Sequence, residues 1–214
     1  GARVELTLDA TLQQVAEDEL STAVVERQAV AGVAVVMDPA TGEILALANA
    51  PRFEPNHVGQ FSADHWRNRV TADTYEPGST FKGIVAAAAV EAGVVRPEDR
   101  IFCENGSLAV GNRVVHDHEP YGWLNFADVI KHSSNIGTAK VGERLGVARL
   151  SAAIQAFGFG TPTHVDLPGE VPGLVRPADK WARINLITTS FGQGISVTPL
   201  QLLRAYAAIA KIGR

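Results

Sequence analysis

The most constraining feature of this sequence is a continuous apolar segment that follows a proline and a glycine. Residues 83–90, GIVAAAAV, have no polar face, and they continue a helix that we expect to begin near Thr80 and to end at Gly93. A helix that is apolar on all sides is stable only when it is buried. The segment is far shorter than the roughly 20 apolar residues of a membrane span. The chain must therefore fold around this helix.

Composition and charge are those of a globular domain. The chain has 214 residues, of which 46% are hydrophobic, and this is enough for one sizeable core. Its net charge is −4, and no run of lysines and arginines forms a basic stripe. We therefore do not expect the chain to bind nucleic acid. Cys103 is the single cysteine, so an internal disulfide is impossible, and we interpret it as a packing residue.

Periodicity and turn residues predict early strands followed by a mostly helical C-terminal half. Polar and apolar residues alternate over Val4–Asp9, which predicts a strand, and the apolar residues of Leu12–Val25 have helical spacing. Two apolar runs joined by a Pro- and Gly-containing turn predict a hairpin. The predicted elements are a strand over Val4–Asp9, a helix over Leu12–Val25, a hairpin of Val33–Met37 and Ile44–Ala48, helices over Ala127–Lys131, Ile136–Leu145 and Val147–Phe157, a loop over Asp166–Pro177, and a helix from the capping box at Thr198–Gln201 through Ala210.

A serine and a lysine lie at the start of the apolar helix. In EPGSTFK, residues 76–82, Ser79 precedes Lys82 by three positions, so their side chains share one helical face. A serine hydroxyl needs a base, and a lysine serves when it is neutral. Burial and the helix dipole both favour the neutral amine, so we expect a lowered pKa for Lys82. Ser79 is therefore a candidate nucleophile and oxyanion donor, and Lys82 a candidate base, although a helix start with a capping serine is the plain alternative.

A second polar element follows 54 positions later in a break between predicted helices. It consists of Ser133, Ser134 and Asn135. The Ser133 hydroxyl can relay a proton to a departing amine, and the Asn135 amide can hold a substrate amide through paired donor and acceptor contacts. As an alternative, one of the two serines caps the helix that begins at Ile136. The pairing of both elements favours catalysis more than either does alone.

These two elements together resemble the active-site signature of penicillin-binding proteins and β-lactamases. Residues 37–49 and 190–201 are similar to the hairpin and to the segment after the helical lobe in class B penicillin-binding proteins. Arg67-Asn68-Arg69 and the approach to Ser79 look like the same class, and Glu76-Pro77 and Ser134 resemble its division-type branch. The third family element, Lys-Thr-Gly or Lys-Ser-Gly, is absent from residues 1–214. The resemblance thus implies a transpeptidase domain that is incomplete at its C-terminus.

The resemblance implies an α/β fold of the penicillin-binding-protein and β-lactamase type, with an antiparallel sheet packed on helices and an all-helical lobe over about 51–190. Ser79 should lie between the sheet and the lobe. It also implies a D,D-transpeptidase that cross-links peptidoglycan stem peptides through an acyl-enzyme on Ser79 and is trapped there by β-lactams. Lys82 would act as base, Ser133 as proton relay and Asn135 as substrate-binding residue. We expect no cofactor and no metal.

The same resemblance implies a setting and partners. The domain would work on the outer face of the bacterial cytoplasmic membrane, with an anchor N-terminal to this chain, in septal wall synthesis. Its partners would be stem peptides, β-lactam antibiotics, divisome or other wall-synthesis proteins, and a C-terminal segment that carries the missing Lys-Thr-Gly or Lys-Ser-Gly strand.

Three other functions are compatible with this fold, and the sequence argues against the first of them. A class A β-lactamase would need a hydrolytic glutamate in a Glu-x-x-Leu-Asn context, but after Asn135 the chain has only Glu143 and Glu170, and neither is in that context. A penicillin-sensing receptor domain would lack the hairpin at residues 41–43 and the segment at 191–194. A catalytically silent scaffold of the same fold is the third. His116, Asp117 and His118 have metal-binding chemistry, but we interpret them as a solvated turn.

Overall fold

The computed structural model describes residues 3–211, which form two compact units. The first unit contains the described residues up to Thr74, together with Thr161–Pro172 and the residues from Thr198 onwards. The second unit comprises Tyr75–Gly160 and Gly173–Val197. Each polypeptide unit thus combines segments that are distant in the sequence.

The first unit is built around a two-stranded hairpin. Strands β1 (Gly32–Met37) and β2 (Ile44–Ala50) pair antiparallel, and β2 buries every second residue, as expected when one face of a strand is covered. Helix α1 (Ala10–Glu26) packs on this hairpin, and its N-terminus is capped by the Asp9 carboxylate, which accepts hydrogen bonds from the first turn. The predicted hairpin and the helix before it are confirmed. The other helices of this unit are α2 (Ala63–Trp66), α3 (Arg69–Ala72) and α8 (Pro199–Ala210).

The strand predicted over Val4–Asp9 is wrong. These residues have no strand assignment, and Val4 is 77% exposed. Asp9 N–H donates to Leu45 O at 2.9 Å, and the Thr7 hydroxyl donates to Ile44 O at 2.6 Å. Alternation alone does not make a strand, because a strand also needs a partner that pairs along its length.

Buried side-chain hydrogen bonds fix α8 to the loop of the first unit. Thr198 and Gln201 form the predicted capping box, in which Gln201 Oε1 accepts from Thr198 N. The Gln201 side chain is fully buried, and its Nε2 donates to the carbonyl oxygens of Thr161 and Pro172, each at 2.8 Å. One glutamine therefore joins both ends of residues 161–172 to the helix. The predicted loop over Asp166–Pro177 is confirmed, since it contains no helix and only an isolated bridge at Leu174.

The second unit holds the apolar helix in its core. Helix α4 (Lys82–Glu91) packs with α5 (Phe126–Lys131) and α6 (Asn135–Ala156), and α7 (Arg183–Ser190) packs on α6. Helix α6 contains a break at Gly146, whose φ of 78° is left-handed, so the two helices predicted around this glycine are confirmed. The core side chains of α4 include Ile84 and Val85, both fully buried.

Short strands interrupt the segment that was expected to be all-helical. The second unit contains the antiparallel pairs β3 (Arg100–Phe102) with β6 (Trp123–Asn125), and β4 (Ser107–Val110) with β5 (Arg113–His116). The lobe over about 51–190, which we expected to be all-helical, therefore also contains these two short antiparallel pairs. The pairs are only three or four residues long, which is why their alternation was too brief to read in the sequence. Among the described residues, no helix is long and apolar enough to cross a membrane.

Candidate active site

Ser79 lies in a tight turn at the mouth of the apolar helix. Residues Gly78–Phe81 form a 3₁₀-helix, and α4 begins at Lys82, whose backbone N–H donates to Ser79 O. The Ser79 side chain is exposed, and within residues 3–211 its hydroxyl has no hydrogen-bond partner. Phe81 is fully buried and packs edge-on against Phe159 at 5.3 Å between ring centroids. The turn thus presents an accessible hydroxyl from a segment that is anchored in the core.

A second segment of the same unit clamps this turn through backbone contacts. Gly78 N–H donates to Gly192 O at 2.9 Å, and Tyr75 and Val197 exchange two backbone hydrogen bonds of 3.1 and 3.0 Å. Gly192 has a φ of 78°, and a methyl group on it would lie 2.7 Å from Gly78 N and would overlap with Gly78 O. Gly194 N–H donates to Glu76 Oε1 at 2.7 Å. We call residues 192–197 the clamp segment.

Lys82 is buried and bonded to the second polar element. Its side chain is only 2% exposed, and its Nζ donates to Ser133 Oγ at 2.9 Å and to the Ser133 carbonyl oxygen. Burial lowers the pKa of Lys82 to about 8, and the negative charge of Asp117 opposes this shift. With that pKa, about a tenth of the lysine is neutral at pH 7. The sequence-based expectation of a lowered Lys82 pKa is therefore met, with burial as its main cause.

Ser133 occupies a strained corner between α5 and α6. Its φ is 56°, a left-handed conformation that non-glycine residues rarely adopt. Backbone hydrogen bonds from Ser133 N to Ile130 O and from Ser134 N to Val129 O close the corner. Strain of this kind persists only where the surroundings fix it, and it is concentrated at functional sites. Here the corner turns both oxygens of Ser133 toward the Lys82 amine.

The two residues after Ser133 make different contacts. Ser134 is fully buried, and its Oγ accepts from Gly137 N at 2.9 Å, so it is the serine that caps α6. Asn135 stands in the first turn of α6, and its Nδ2 donates to the His116 carbonyl oxygen at 2.9 Å. The structure therefore brings Lys82 and Ser133 into contact. Among the described residues it places no hydrogen bond between the Ser79 hydroxyl and Lys82, Ser133 or Asn135.

Asp117 is a residue of this site that sequence reasoning missed. The predicted solvated turn is wrong for it: Asp117 is half-buried, its Oδ2 accepts from Ser134 Oγ at 2.6 Å, and its Oδ1 accepts from Ile136 N at 2.9 Å. Its partner serine is 17 positions away. No local pattern identifies such a contact, because only the fold brings the end of β5 to the start of α6. Among residues 3–211, no three His, Cys, Asp or Glu side chains are grouped so that they could hold a metal ion.

Comparison with known proteins agrees with the sequence-based resemblance. The model of the penicillin binding protein transpeptidase domain family matches residues 32–214. The chain is 38% identical over 213 residues to the "Probable peptidoglycan D,D-transpeptidase PenA" of Neisseria gonorrhoeae, covering 100% of this chain and 36% of that protein. It is 37% identical over 208 residues to the "Peptidoglycan D,D-transpeptidase FtsI" of Escherichia coli K12, covering 97% and 35%. It thus spans about a third of the length of these relatives.

Solved structures give the same result for the fold. The transpeptidase domain of penicillin-binding protein 3 from Burkholderia pseudomallei superposes with a TM-score of 0.88 at 34% identity, covering 99% of this chain and 59% of that one. A structure described as a peptidoglycan glycosyltransferase from Burkholderia ambifaria gives the same TM-score and identity, covering 97% and 61%. The chain belongs to the penicillin-binding-protein transpeptidase domain family. The predicted class B resemblance and the predicted fold of the penicillin-binding-protein and β-lactamase type are both confirmed.

Proposed function

We propose that this chain provides the acylating part of a serine-type peptidoglycan D,D-transpeptidase. The observation that carries the proposal is the Lys82 amine, which is buried, has a lowered pKa, and is hydrogen-bonded to Ser133 Oγ. A lysine with these properties is a base that works near neutral pH, one helical turn after an accessible serine hydroxyl. The names of the relatives, which are peptidoglycan D,D-transpeptidases, support the same reaction class.

In the acylation step, neutral Lys82 accepts the proton of Ser79 Oγ as this oxygen attacks the carbonyl carbon between the two terminal D-alanines of a stem peptide. The backbone N–H of Ser79 stabilises the oxygen that becomes negative. The C–N bond then breaks, and the departing amine takes a proton from Lys82 through the Ser133 hydroxyl, which already accepts a hydrogen bond from Nζ. D-Alanine leaves, and the acyl group remains on Ser79 as an ester.

In the transfer step, the amine of a second stem peptide attacks the ester carbonyl. The amine gives a proton through Ser133 to Lys82, and Lys82 returns a proton to Ser79 Oγ as the ester bond breaks, so the enzyme is regenerated. Asn135 positions the acyl chain. One of its amide N–H groups is bonded to His116 O, which fixes the plane of the amide and leaves its oxygen without a partner among the described residues.

β-Lactams would acylate Ser79 by the same attack and remain bound. The two glutamates that follow Asn135 are engaged in structural contacts: Glu143 is bonded to Arg183 at 2.6 Å, and Glu170 accepts from the backbone N–H groups of Thr163 and His164. Neither is available as a base for hydrolysis of the ester. This supports a long-lived acyl-enzyme and a β-lactam target, as opposed to a β-lactamase.

Family membership supports a wider setting for this chain. We propose that the domain acts on the outer face of the bacterial cytoplasmic membrane, with an anchor N-terminal to it, in septal wall synthesis alongside divisome proteins. A C-terminal segment carrying the Lys-Thr-Gly or Lys-Ser-Gly strand would complete the substrate site. No residue of the proposed reaction needs a cofactor.

The experiment is intact-mass analysis with peptide mapping after incubation with benzylpenicillin. The chain is tested alone and extended by the Lys-Thr-Gly segment. We expect a stable penicilloyl adduct on Ser79, lost in Ser79→Ala and kept in Ser107→Ala, which changes another exposed serine, on β4. An extended chain that forms no adduct would favour the silent scaffold. Release of D-alanine from a stem pentapeptide, with loss of activity in Ser79→Ala, separates a transpeptidase from a sensor.

A further inference from the structure

Hydrogen bonds from the end of β5 hold the corner that carries Ser133. Asp117 follows β5 directly, and its backbone N–H donates to Gly106 O at 3.1 Å, so this residue is fixed at both its backbone and its side chain. One carboxylate oxygen accepts from Ser134 Oγ and the other from Ile136 N. The preceding carbonyl, His116 O, accepts from the Asn135 amide. Ser134, Asn135 and Ile136 are therefore held by His116, the last residue of β5, and by Asp117, which follows it.

These hydrogen bonds explain how Ser133 keeps its strained conformation. Ser133 is left-handed, and a free backbone would relax from that conformation. Because Ser134, Asn135 and Ile136 are tied to the end of β5, the chain cannot rotate at Ser133 without breaking these hydrogen bonds. Hydrogen bonds to an ionised carboxylate are stronger than those between neutral groups. The conformation that directs Ser133 Oγ to Lys82 thus depends on the carboxylate.

The Asp117 carboxylate is also the acidic group whose charge reaches the Lys82 amine. It raises the pKa of Lys82 against the effect of burial. Toward the interior, burial raises the pKa of the Cys103 thiol, and Asp117 adds to this effect. The other titratable groups near Asp117 and its partners are its exposed neighbours His116 and His118, the exposed His132 beside Ser133, and the ion pair of Lys140 with Glu104.

We propose that Asp117 is a positioning residue for the acylation chemistry, which holds the Ser133 corner against Lys82 and supplies the counter-charge of the protonated lysine. The inference rests on the proposed function, since it needs Lys82 as the base that activates Ser79. Asp117 touches neither reacting atom. It acts through Ser134, Ile136 and its negative charge.

Acylation by a fluorescent penicillin, measured from pH 6 to pH 9.5 on the form of the protein that forms the Ser79 adduct, tests this role. Asp117→Asn keeps the shape of the side chain but removes its charge. Without that charge the Lys82 pKa falls, so the neutral base appears at lower pH. We expect the rising limb of the rate to shift to lower pH and the maximal rate to fall about 10-fold, because the corner is held less firmly.

Two further variants separate charge from position. Asp128→Asn is the matched control, because Asp128 is also half-buried, lies in the same unit, and accepts a hydrogen bond from Asn125 at the start of α5. This variant should leave the acylation rate within about twofold of that of the unchanged protein and should not move the pH midpoint. Ser134→Ala removes the hydroxyl that donates to Asp117 and caps α6, but it leaves the Asp117 charge in place, so it should lower the rate without moving the midpoint.

The outcomes are decisive in each case. If Asp117→Asn behaves like Asp128→Asn, or loses rate with an unmoved midpoint, the proposal is overturned. If thermal unfolding shows that Asp117→Asn does not fold, Asp117→Glu replaces it: retention of the charge should preserve the midpoint while the rate falls, and a shifted midpoint would overturn the proposal. If the chain extended by the Lys-Thr-Gly segment forms no Ser79 adduct, the result would instead refute the proposed function.

Discussion

The turn that carries Ser79 and the corner that carries Ser133 differ in the contacts that hold them. The Ser79 turn is fixed mainly by backbone hydrogen bonds to the clamp segment and by the close approach of Gly192 to Gly78. The Ser133 corner has backbone hydrogen bonds too, but it is also held by charged side chains, the Asp117 carboxylate and the Lys82 amine. Backbone contacts carry no net charge, whereas these side chains do.

This difference separates two demands on the site. In the proposed reaction, the Ser79 hydroxyl has to be held in one position at the start of α4, and contacts between backbone atoms leave it the least freedom to move. The proposed base, Lys82, has to change its protonation state through the proposed relay, Ser133, and nearby charged side chains shift the pKa of the base. The turn should therefore be intolerant of added atoms and insensitive to pH, whereas the corner should be sensitive to charge.

The largest effect is expected for Gly192→Ala. The added methyl would overlap with Gly78 O, and alanine at a φ of 78° is also strained by about 1–3 kcal/mol. The Gly78 backbone must move, and Ser79 moves with it. We expect the rate of Ser79 acylation to fall at least about 100-fold, measured with a fluorescent penicillin, together with a lower midpoint of thermal unfolding.

Gly194→Ala is the matched control for this variant. Gly194 has a φ of 76°, but a methyl group there would meet only Thr188 Oγ1, at an ordinary 3.6 Å. It carries the same backbone strain without the overlap, and its N–H can still donate to Glu76. Acylation should stay within about tenfold of the unchanged protein. Equal losses in the two variants would mean that strain, and not the contact with Gly78, limits the turn.

The second effect is the pH dependence of acylation. With a Lys82 pKa of about 8, the neutral fraction rises about tenfold between pH 7 and pH 9. The acylation rate should rise by the same factor, with a midpoint near pH 8. The residual activity of Gly192→Ala should show the same midpoint, because the clamp segment contributes no charge to Lys82. A midpoint that moves in Gly192→Ala would contradict the separation of the two regions.

Burial of Lys82 also has a consequence for stability with a definite sign. Its folded pKa of about 8 lies below the ordinary value of 10.5, so between these values the unfolded chain binds more protons than the folded one. The contribution of Lys82 to the free energy of unfolding therefore rises from pH 8 to pH 10.5. In denaturant titrations, the stability of the unchanged protein relative to Lys82→Met should increase over this range, and a constant difference would contradict a lowered pKa.

The parts of the site that could be predicted from sequence are those with short spacing. Ser79 and Lys82 lie three positions apart at the start of an apolar helix, so the helical period predicts that they share one face. Among the described residues, the Lys82 amine is hydrogen-bonded to Ser133 and not to Ser79, so contact between Ser79 and Lys82 stays a prediction. The capping box at Thr198 and the break at Gly146 are equally local. For the same reason the hairpin of β1 and β2 was readable, because its two strands are joined by one short turn.

The parts that could not be predicted depend on contacts made by the fold. Asp117 meets Ser134 only because β5 ends beside α6, and the clamp segment meets Gly78 from a distant part of the chain. The family resemblance marked residues 190–201 without giving a reason, and Gly192 now supplies one. The false strand at Val4–Asp9 has the same origin, because pairing along a strand cannot be read from one segment.

The smallest effect is expected at Glu76, and it tests whether the Ser79 turn is indifferent to charge. Glu76 is exposed and accepts from Gly194 N–H through Oε1. Glu76→Gln keeps a carbonyl oxygen for this bond, so acylation should stay within about twofold. Glu76→Ala removes the acceptor and should lower the rate about fivefold, as expected for one lost hydrogen bond. If glutamine proved as damaging as alanine, the negative charge itself would matter, and the turn would then be tuned by electrostatics as the corner is.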